Sequence, residues 1–501
     1  MNDAFKPQKI MRMGDPEMDM SEIIKTLAKE KTAILQGDAE RIARQHGEGK
    51  CTARERVNKL FDAGSFVEMD ALRADSNLVA GYGTVNGCAA YCFAQDFASC
   101  GGAMTKEQAE KIQKLLNMAK LTGAPVVAML DSAGVKLSDG AAALPLYAGV
   151  MNQMARLSGV CPLIAVVMGP VRGLATLLTQ VCDITIQVKK TGEVALHTAL
   201  VMNSEKGVEK SAQTLFGAEI MAKQGVCALT AETEDEAEAL VSALIDLLPA
   251  CNMESAPLVD EDDLNRMMVA SDADDAAALM ADLADLGHVI ELYAAYGEGI
   301  RTALCRIGGR TCGLVVSDHQ ADNGRLTVEN SKKAARFVRL CDCFSLPVIS
   351  LVNADGVAVP CQCKQGDMIR SAAELCYAYA ECTAPKIGII CGNAVGAAYV
   401  AMGGKDMADV SYAWPGAMIA PLTEEVAVQT LNEKEMLEGK SKEELMAAYR
   451  ESCGALFAAR NGMVDDVINP AETRKYIIAA LEMLVSKHDV NLPRKHGNLP
   501  L

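Results

Sequence analysis

The sequence predicts an α/β protein made of two similar halves in tandem. Three observations predict this. Short apolar runs alternate with amphipathic segments, Gly and Pro bound those runs, and four blocks of the first half recur in the second at one spacing. Gly87 closes a Gly/Thr/Val run before CAAYCFAQD, and Gly309, 222 residues on, stands before RTCGLVVSD. GAMTKEQAEKIQKL from Gly102 meets GRLTVENSKKAARF from Gly324, again 222 residues later. APVVAMLDSAG from Ala124 meets LPVISLVNADG from Leu346 at 222, and CPLIAVVMGPVRGLA from Cys161 meets APKIGIICGNAVGAA from Ala384 at 223. Four blocks in one register make the chain a duplication.

In chain order, the segment up to about residue 50 is charged and helical in pattern and reads as an N-terminal arm. The first domain is expected over 51–251. Within it, Lys106 to Leu121 places Ile112, Leu115, Leu116 and Ala119 at helical spacing. VVAML and VISLV are strands buried on both faces. Pro125, Pro162, Pro347 and Pro385 open strands, where a missing N–H is tolerated. The acidic run Glu232 to Glu238 starts a helix that ends near Leu248-Pro249. Residues from Cys251 to about Asp275 are polar and irregular and separate the halves, so the second domain is expected over 276–501.

Composition excludes several classes. The 501 residues are 50% hydrophobic and 23% charged, which excludes a mainly disordered chain. The net charge of −17 supplies no basic face for nucleic acid. No apolar stretch reaches the length of a membrane span, and residues 1–20 lack the apolar core of a secretory signal. Eighteen cysteines without one CxxC pair read as reduced thiols in a reducing cytosol, and no metal is expected. Cytoplasmic localisation follows, with membrane association only through partner subunits.

Each half carries a Gly-containing turn where a buried strand meets a helix: Met168-Gly-Pro-Val-Arg-Gly-Leu-Ala175 and Cys391-Gly-Asn-Ala-Val-Gly-Ala-Ala398. At such junctions backbone N–H groups lack intrahelical partners and point outward together, which suits them to an oxyanion. Tight strand–helix packing alone also accounts for glycines there. Conventional catalytic residues are scarce: six His, no HExxH, no GxSxG, no GxxxxGK[ST], and no His assignable to Ser132. Backbone-amide chemistry fits this inventory better than a triad.

Thr52-Ala-Arg-Glu-Arg-Val-Asn-Lys-Leu-Phe-Asp-Ala-Gly-Ser-Phe-Val-Glu68 resembles the opening of the carboxyltransferase subunits of biotin-dependent acyl-CoA carboxylases and decarboxylases. Gly81-Tyr-Gly-Thr-Val-Asn-Gly87, Gln95-Asp-Phe97, Gly101-Gly102, Gly123-Ala-Pro125, Asp131-Ser132, Lys333-Ala-Ala-Arg-Phe337, Ala384-Pro385 and Tyr412-Ala-Trp-Pro415 continue that pattern. The resemblance implies two crotonase-like (ββα-spiral) domains, a homo-oligomer, usually a hexamer, and a site between the N-domain of one subunit and the C-domain of another.

It further implies a carboxyl group moved between biotin, held on a separate carrier protein, and the α-carbon of an acyl-CoA. Gly173, Leu174, Ala397 and Ala398 then form the catalytic turns. Ala133, Gly134, Lys136, Arg172 and Gly173 face the acyl-CoA; Gly396, Ala397, Ala398 and Tyr399 face biotin. The chain departs from the family at Arg172, Leu174, Ala133, Ala397 and the loop Asn353–Cys361. It has no biotin-accepting Met-Lys-Met and no ATP-grasp loop, so the carrier, and a biotin carboxylase or membrane decarboxylase subunit, are expected as separate partners. The departures leave two alternatives open, a non-catalytic scaffold paralogue in such a complex and a biotin-independent crotonase-type acyl-CoA enzyme.

Overall fold

The computed structural model describes residues 20–73, 77–259, 262–432, 436, 439–490, 493 and 496–498. The reading of residues 1–19 therefore lies outside the described residues. The first half contributes β1 (Val67–Glu68), β2 (Leu78–Val85), β3 (Cys88–Gln95), β4 (Val126–Ser132), β5 (Leu163–Arg172), β6 (Ile184–Val188), β7 (Glu193–Ala195) and β8 (Leu229–Ala231). The second contributes β9 (Val289–Leu292), β10 (Ile300–Ile307), β11 (Arg310–Ser317), β12 (Val348–Ala354), β13 (Lys386–Val395), β14 (Val410–Ala413), β15 (Met418–Ala420) and β16 (Asp466–Val467). The orders are β1-β2-β3-β4-β5-β6-β8 with β7 on β5, and β16-β14-β13-β12-β11-β10-β9 with β15 on β13.

Each half begins with an antiparallel hairpin and continues in parallel strands. The hairpin turns are Asn86-Gly87 (φ 51 and 78°) and Gly308-Gly309 (φ 58 and 77°). Positive φ at both central residues is the turn that matches strand twist. Every residue of β4 and of β12 is buried, as their unbroken apolar runs require. The four prolines stand one residue before strands or at their threshold, and each carbonyl serves a neighbouring strand: Tyr91 N–H donates to Pro125 O and Val348 N–H to Pro385 O, both at 2.8 Å.

The duplication extends to irregularities. The β4–β5 ladder slips between Leu130 and Ser132, and the β12–β13 ladder slips between Val352 and Ala354. Isolated bridges Met104–Val135 and Leu326–Val357 hold the loops that follow. Each slip lies in the ladder of the strand, β5 or β13, that leads into a candidate turn.

The helix expected from Lys106 runs Lys106–Thr122, and the acidic start gives Glu234–Leu247. One core cluster holds Val166 and Leu244 with Leu292, Val352 and Ala394, so the halves share an interior. The connecting segment leaves the first half at Asn252, whose N–H bonds Val160 O. It closes on the second through Arg266 with Asp282 (2.8 Å) and Met268 N–H on Ala471 O (2.8 Å). The arm is two helices: Met20–Gln36, which buries none of its residues, and Ala39–Gly47, capped by Asp38. Among the described residues no helix is long and apolar enough to cross a membrane. All 18 cysteines are free thiols.

Candidate active site

β5 ends at Arg172 and the chain turns at Gly173 into the helix Ala175–Val181. Gly173 has φ 58°, and a side chain there would meet nothing within 4 Å. Glycine is required by the left-handed backbone, not by lack of space. Its N–H donates to Ala195 O at 2.9 Å, so it is engaged within the turn. Its carbonyl accepts from Thr176 N–H (3.1 Å) and Thr176 Oγ1 (2.7 Å), which starts the helix. The N–H groups of Leu174 and Ala175 have no acceptor among the described residues. Gly173 was read from the sequence as an amide donor; in the structure its own N–H is engaged, and those of Leu174 and Ala175 find no acceptor among the described residues.

The second turn repeats this. β13 ends at Val395, Gly396 has φ 52°, and its N–H donates to Ala420 O at 2.9 Å. Val400 N–H returns to Gly396 O at 3.2 Å, and the N–H groups of Ala397 and Ala398 are left without an acceptor among the described residues. Tyr399 opens a π-helical turn, Tyr399–Gly403, and its hydroxyl donates to Met463 O at 2.7 Å, committing the phenol to a neighbouring loop. Burial raises that phenol above its ordinary range.

Loop Ala133–Lys136 meets the first turn directly. Gly134 (φ 99°) packs so close that a side chain would lie 2.6 Å from Arg172 O. Ala133 N–H donates to Gly101 O (2.8 Å) and Gly134 N–H to Ser132 Oγ (3.1 Å), while Ser132 Oγ donates to Gly102 O (2.8 Å). These amides hold the loop rather than face outward. Lys136 lies 3.7 Å from Asp139 and Arg172 lies 3.3 Å from Glu193, both side chains half-buried. Each expected phosphate-facing cation thus has a carboxylate neighbour.

Beneath the turns lie polar groups whose pairing the sequence reading did not give. Asp131 is fully buried at the end of β4, and its Oδ2 accepts from Arg56 (3.0 Å) and Gln45 (3.2 Å), with Lys50 at 3.7 Å. Arg56 also donates to both oxygens of Glu234 (2.6 and 3.1 Å). In the second half, Asn353 Nδ2 donates to Asp274 (2.9 Å) and Ala273 O (3.1 Å), and its Oδ1 accepts from Asn393 N–H (2.9 Å). Asn393 Nδ2 donates to Asp355 (2.8 Å), and His319 stands between Asp274 (3.1 Å) and Asp355 (3.9 Å). His319 thus bridges two carboxylates of the second half. The repeat offset was the signal available for these residues, since Asn353 lies 222 residues after Asp131. Cys391, near the second turn, is no nucleophile: burial pushes its thiol up to about 12. Each turn thus pairs a half-buried residue, Leu174 or Ala397, with a fully buried one, Ala175 or Ala398, whose N–H groups lack an acceptor among the described residues, and N–H groups of this kind can hold an oxygen that gains negative charge.

The carboxyl transferase domain model matches residues 44–499. The chain is 36% identical over 504 residues to methylmalonyl-CoA decarboxylase subunit alpha of Veillonella parvula, covering 95% of this chain and 97% of that one. It is 34% identical over 508 residues to the methylmalonyl-CoA carboxyltransferase 12S subunit of Propionibacterium freudenreichii subsp. shermanii, covering 95% and 97%. A crystal structure of a transcarboxylase 12S hexamer with methylmalonyl-coenzyme A bound superposes with a TM-score of 0.92, at 34% identity, over 97% of this chain and 100% of that one. The expectation of paired crotonase-like domains is borne out by that likeness. Duplicated sheets, matching turns and end-to-end similarity lead to one conclusion: the chain belongs to the carboxyl transferase family.

Proposed function

We propose that this chain moves a carboxyl group between biotin and the α-carbon of an acyl-CoA. The site is completed between the first half of one copy and the second half of another, in a hexamer. The observation that carries the reading is the pair of turns, Gly173–Ala175 and Gly396–Ala398. Each locks its glycine N–H internally and leaves the next two N–H groups without an acceptor among the described residues.

Leu174 and Ala175 hold the thioester oxygen and stabilise the charge it takes up when the α-proton leaves. Loop 133–136, fastened against Arg172 O, shapes the floor beneath the thioester. Arg172 and Lys136 meet the CoA phosphates. The second turn suits a ureido carbonyl, because its two N–H groups without an acceptor belong to residues with small side chains, Ala397 and Ala398. Biotin, borne by a separate carrier protein, supplies the nitrogen that holds the carboxyl group in transit. Tyr399 serves by fastening the turn to Met463 rather than by touching biotin. Two oxygens at two preformed pairs of donors place the reacting groups without a side-chain nucleophile.

The test is isotopic carboxyl exchange. The assembled protein is incubated with biotin and, in turn, carboxyl-labelled malonyl-, methylmalonyl- and glutaconyl-CoA. Label appearing in biotin with at least one of them is expected. Absence of exchange across the set, in protein that is folded by circular dichroism, contradicts the reading.

A further inference from the structure

The loop that follows β12 carries Cys361 and Cys363, whose Sγ atoms stand 2.8 Å apart with both residues exposed. Among the 18 cysteines only Cys100 and Cys343 are also exposed. Cys361 precedes the short 3-10 turn Gln362–Lys364. The neighbouring Cys363 thiol, the N–H groups of Lys364 and Cys363, and the Lys364 ammonium together pull the Cys361 thiol below its ordinary range. These are the surroundings that make a thiolate and keep it reachable.

The loop starts beside the end of β13 that leads into the second turn, and near its start it is hydrogen-bonded to Leu326. A side chain on Gly356 would lie 3.4 Å from Val395 O, next to Gly396. Leu326 N–H donates to Gly356 O (2.8 Å) and Ala358 N–H to Leu326 O (3.0 Å). From Val359 to Cys363 no backbone N–H bonds another backbone group; the next to do so is Lys364, to Cys361 O at 2.9 Å. Val359 is 93% exposed. The cysteines thus sit on an adaptable stretch hinged against the turn.

We propose that Cys361 and Cys363 are a reversible dithiol–disulfide site that gates the second turn, the oxidant being a small-molecule disulfide. The gating part rests on the carboxyl-transfer reading above. The Cys361 thiolate attacks one sulfur of the small disulfide, forming a mixed disulfide and releasing one thiol. The Cys363 thiolate then attacks the Cys361 sulfur, forming the Cys361–Cys363 bond and releasing the second thiol. Two electrons pass from the cysteine pair to the small disulfide, and an added dithiol reverses both steps. Closing the bond draws the sulfurs from 2.8 Å to about 2.05 Å. A ring spanning one intervening residue stiffens the free stretch and displaces the hinge against Val395. Exposed and strained disulfides of this kind reduce readily, which suits a switch over a permanent link.

The experiment uses the reduced, desalted assembly treated with oxidised glutathione, with two readouts on one sample. Mass mapping after alkylation is expected to show one intramolecular Cys361–Cys363 link, two hydrogens lighter and reversed by dithiothreitol. Carboxyl exchange is expected to fall about fivefold or more, within the usual range of coupling between sites. The C361S/C363S double variant keeps the reduced activity and loses the sensitivity. The proposal is overturned if both thiols stay alkylatable in excess oxidant. It is also overturned if the link forms without changing exchange, or if the double variant is equally sensitive. Reduced protein that gives no exchange at all sinks the carboxyl-transfer reading instead, and the mass map alone then decides the dithiol site.

Discussion

Asp131 and Asn353 occupy the same place in the two halves, each filling the space a side chain would take at a glycine on the next strand. A Cβ on Gly169 would lie 2.1 Å from Asp131 Oδ1, and one on Gly392 would lie 2.3 Å from Asn353 Oδ1. The two side chains have the same shape and differ in charge, and their surroundings explain the difference. Asp131 receives Arg56, Lys50 and Gln45, whereas Asn353 accepts a backbone N–H and donates to Asp274.

Asp131→Asn therefore keeps the packing but removes one of the two carboxylates around fully buried Arg56. Breaking a buried ion pair from one side costs about 3–5 kcal/mol, and Glu234 retains part of the compensation. A loss of about 3 kcal/mol is expected in denaturant unfolding. An unchanged midpoint would mean that Glu234 alone holds Arg56.

The turn glycines allow stability and rate to be separated. Gly173→Ala introduces no clash but strains a left-handed backbone, at about 1–2 kcal/mol. Displacing an oxyanion donor costs about 10²–10³ in rate. The variant should stay folded at room temperature and lose exchange far out of proportion to its stability, and Gly396→Ala should do the same. Proportionate losses would take the turns out of the mechanism.

Much of this architecture was legible before any coordinates. The block spacing gave the duplication because VVAML and VISLV are so apolar that a buried parallel strand is their simplest home. Both turns were visible because glycine marks a strand–helix junction. Which amide is engaged was not visible, since that depends on Ala195 and Ala420, carbonyls of short strands that return from more than twenty residues away. Tyr399 is a similar case: its hydroxyl partner, Met463 O, is 64 residues distant. The polar layer of Arg56, Asp131 and Glu234 was hidden because each residue alone resembles a surface charge, and only folding gathers them.

Arg172 and Lys136 carry the expected attraction for CoA phosphates, moderated by Glu193 and Asp139. Half-exposed pairs are worth about 0.2–1 kcal/mol, so each Ala substitution should weaken acyl-CoA binding by about fivefold at most. The loss should shrink as salt rises. Calorimetry at two ionic strengths checks this, and identical affinities for wild type and both variants at low salt would remove these cations from the binding site.

Glu238 gives a pH dependence. It is buried, its Oε1 has no hydrogen-bond partner, and burial pushes its carboxyl up to about 8. The native state then holds a proton that the unfolded chain releases near 4.5. Its stabilising contribution is full below that value and lost as pH rises through about 8, with a slope of at most about 1.4 kcal/mol per pH unit. Glu238→Gln should flatten the decline of Tm between pH 5 and 8. Parallel profiles for the two proteins would show that Glu238 ionises normally.

On the proposed reading, the thioester oxygen rests on the Leu174 and Ala175 N–H groups. Isotope-edited infrared spectroscopy of propionyl-CoA labelled with ¹³C at its carbonyl reads that contact directly. Two amide donors polarise the carbonyl, so its stretch should move to lower frequency on binding and move back in Gly173→Ala. A bound thioester whose carbonyl absorbs as it does in water, or whose shift survives in Gly173→Ala, would contradict the account.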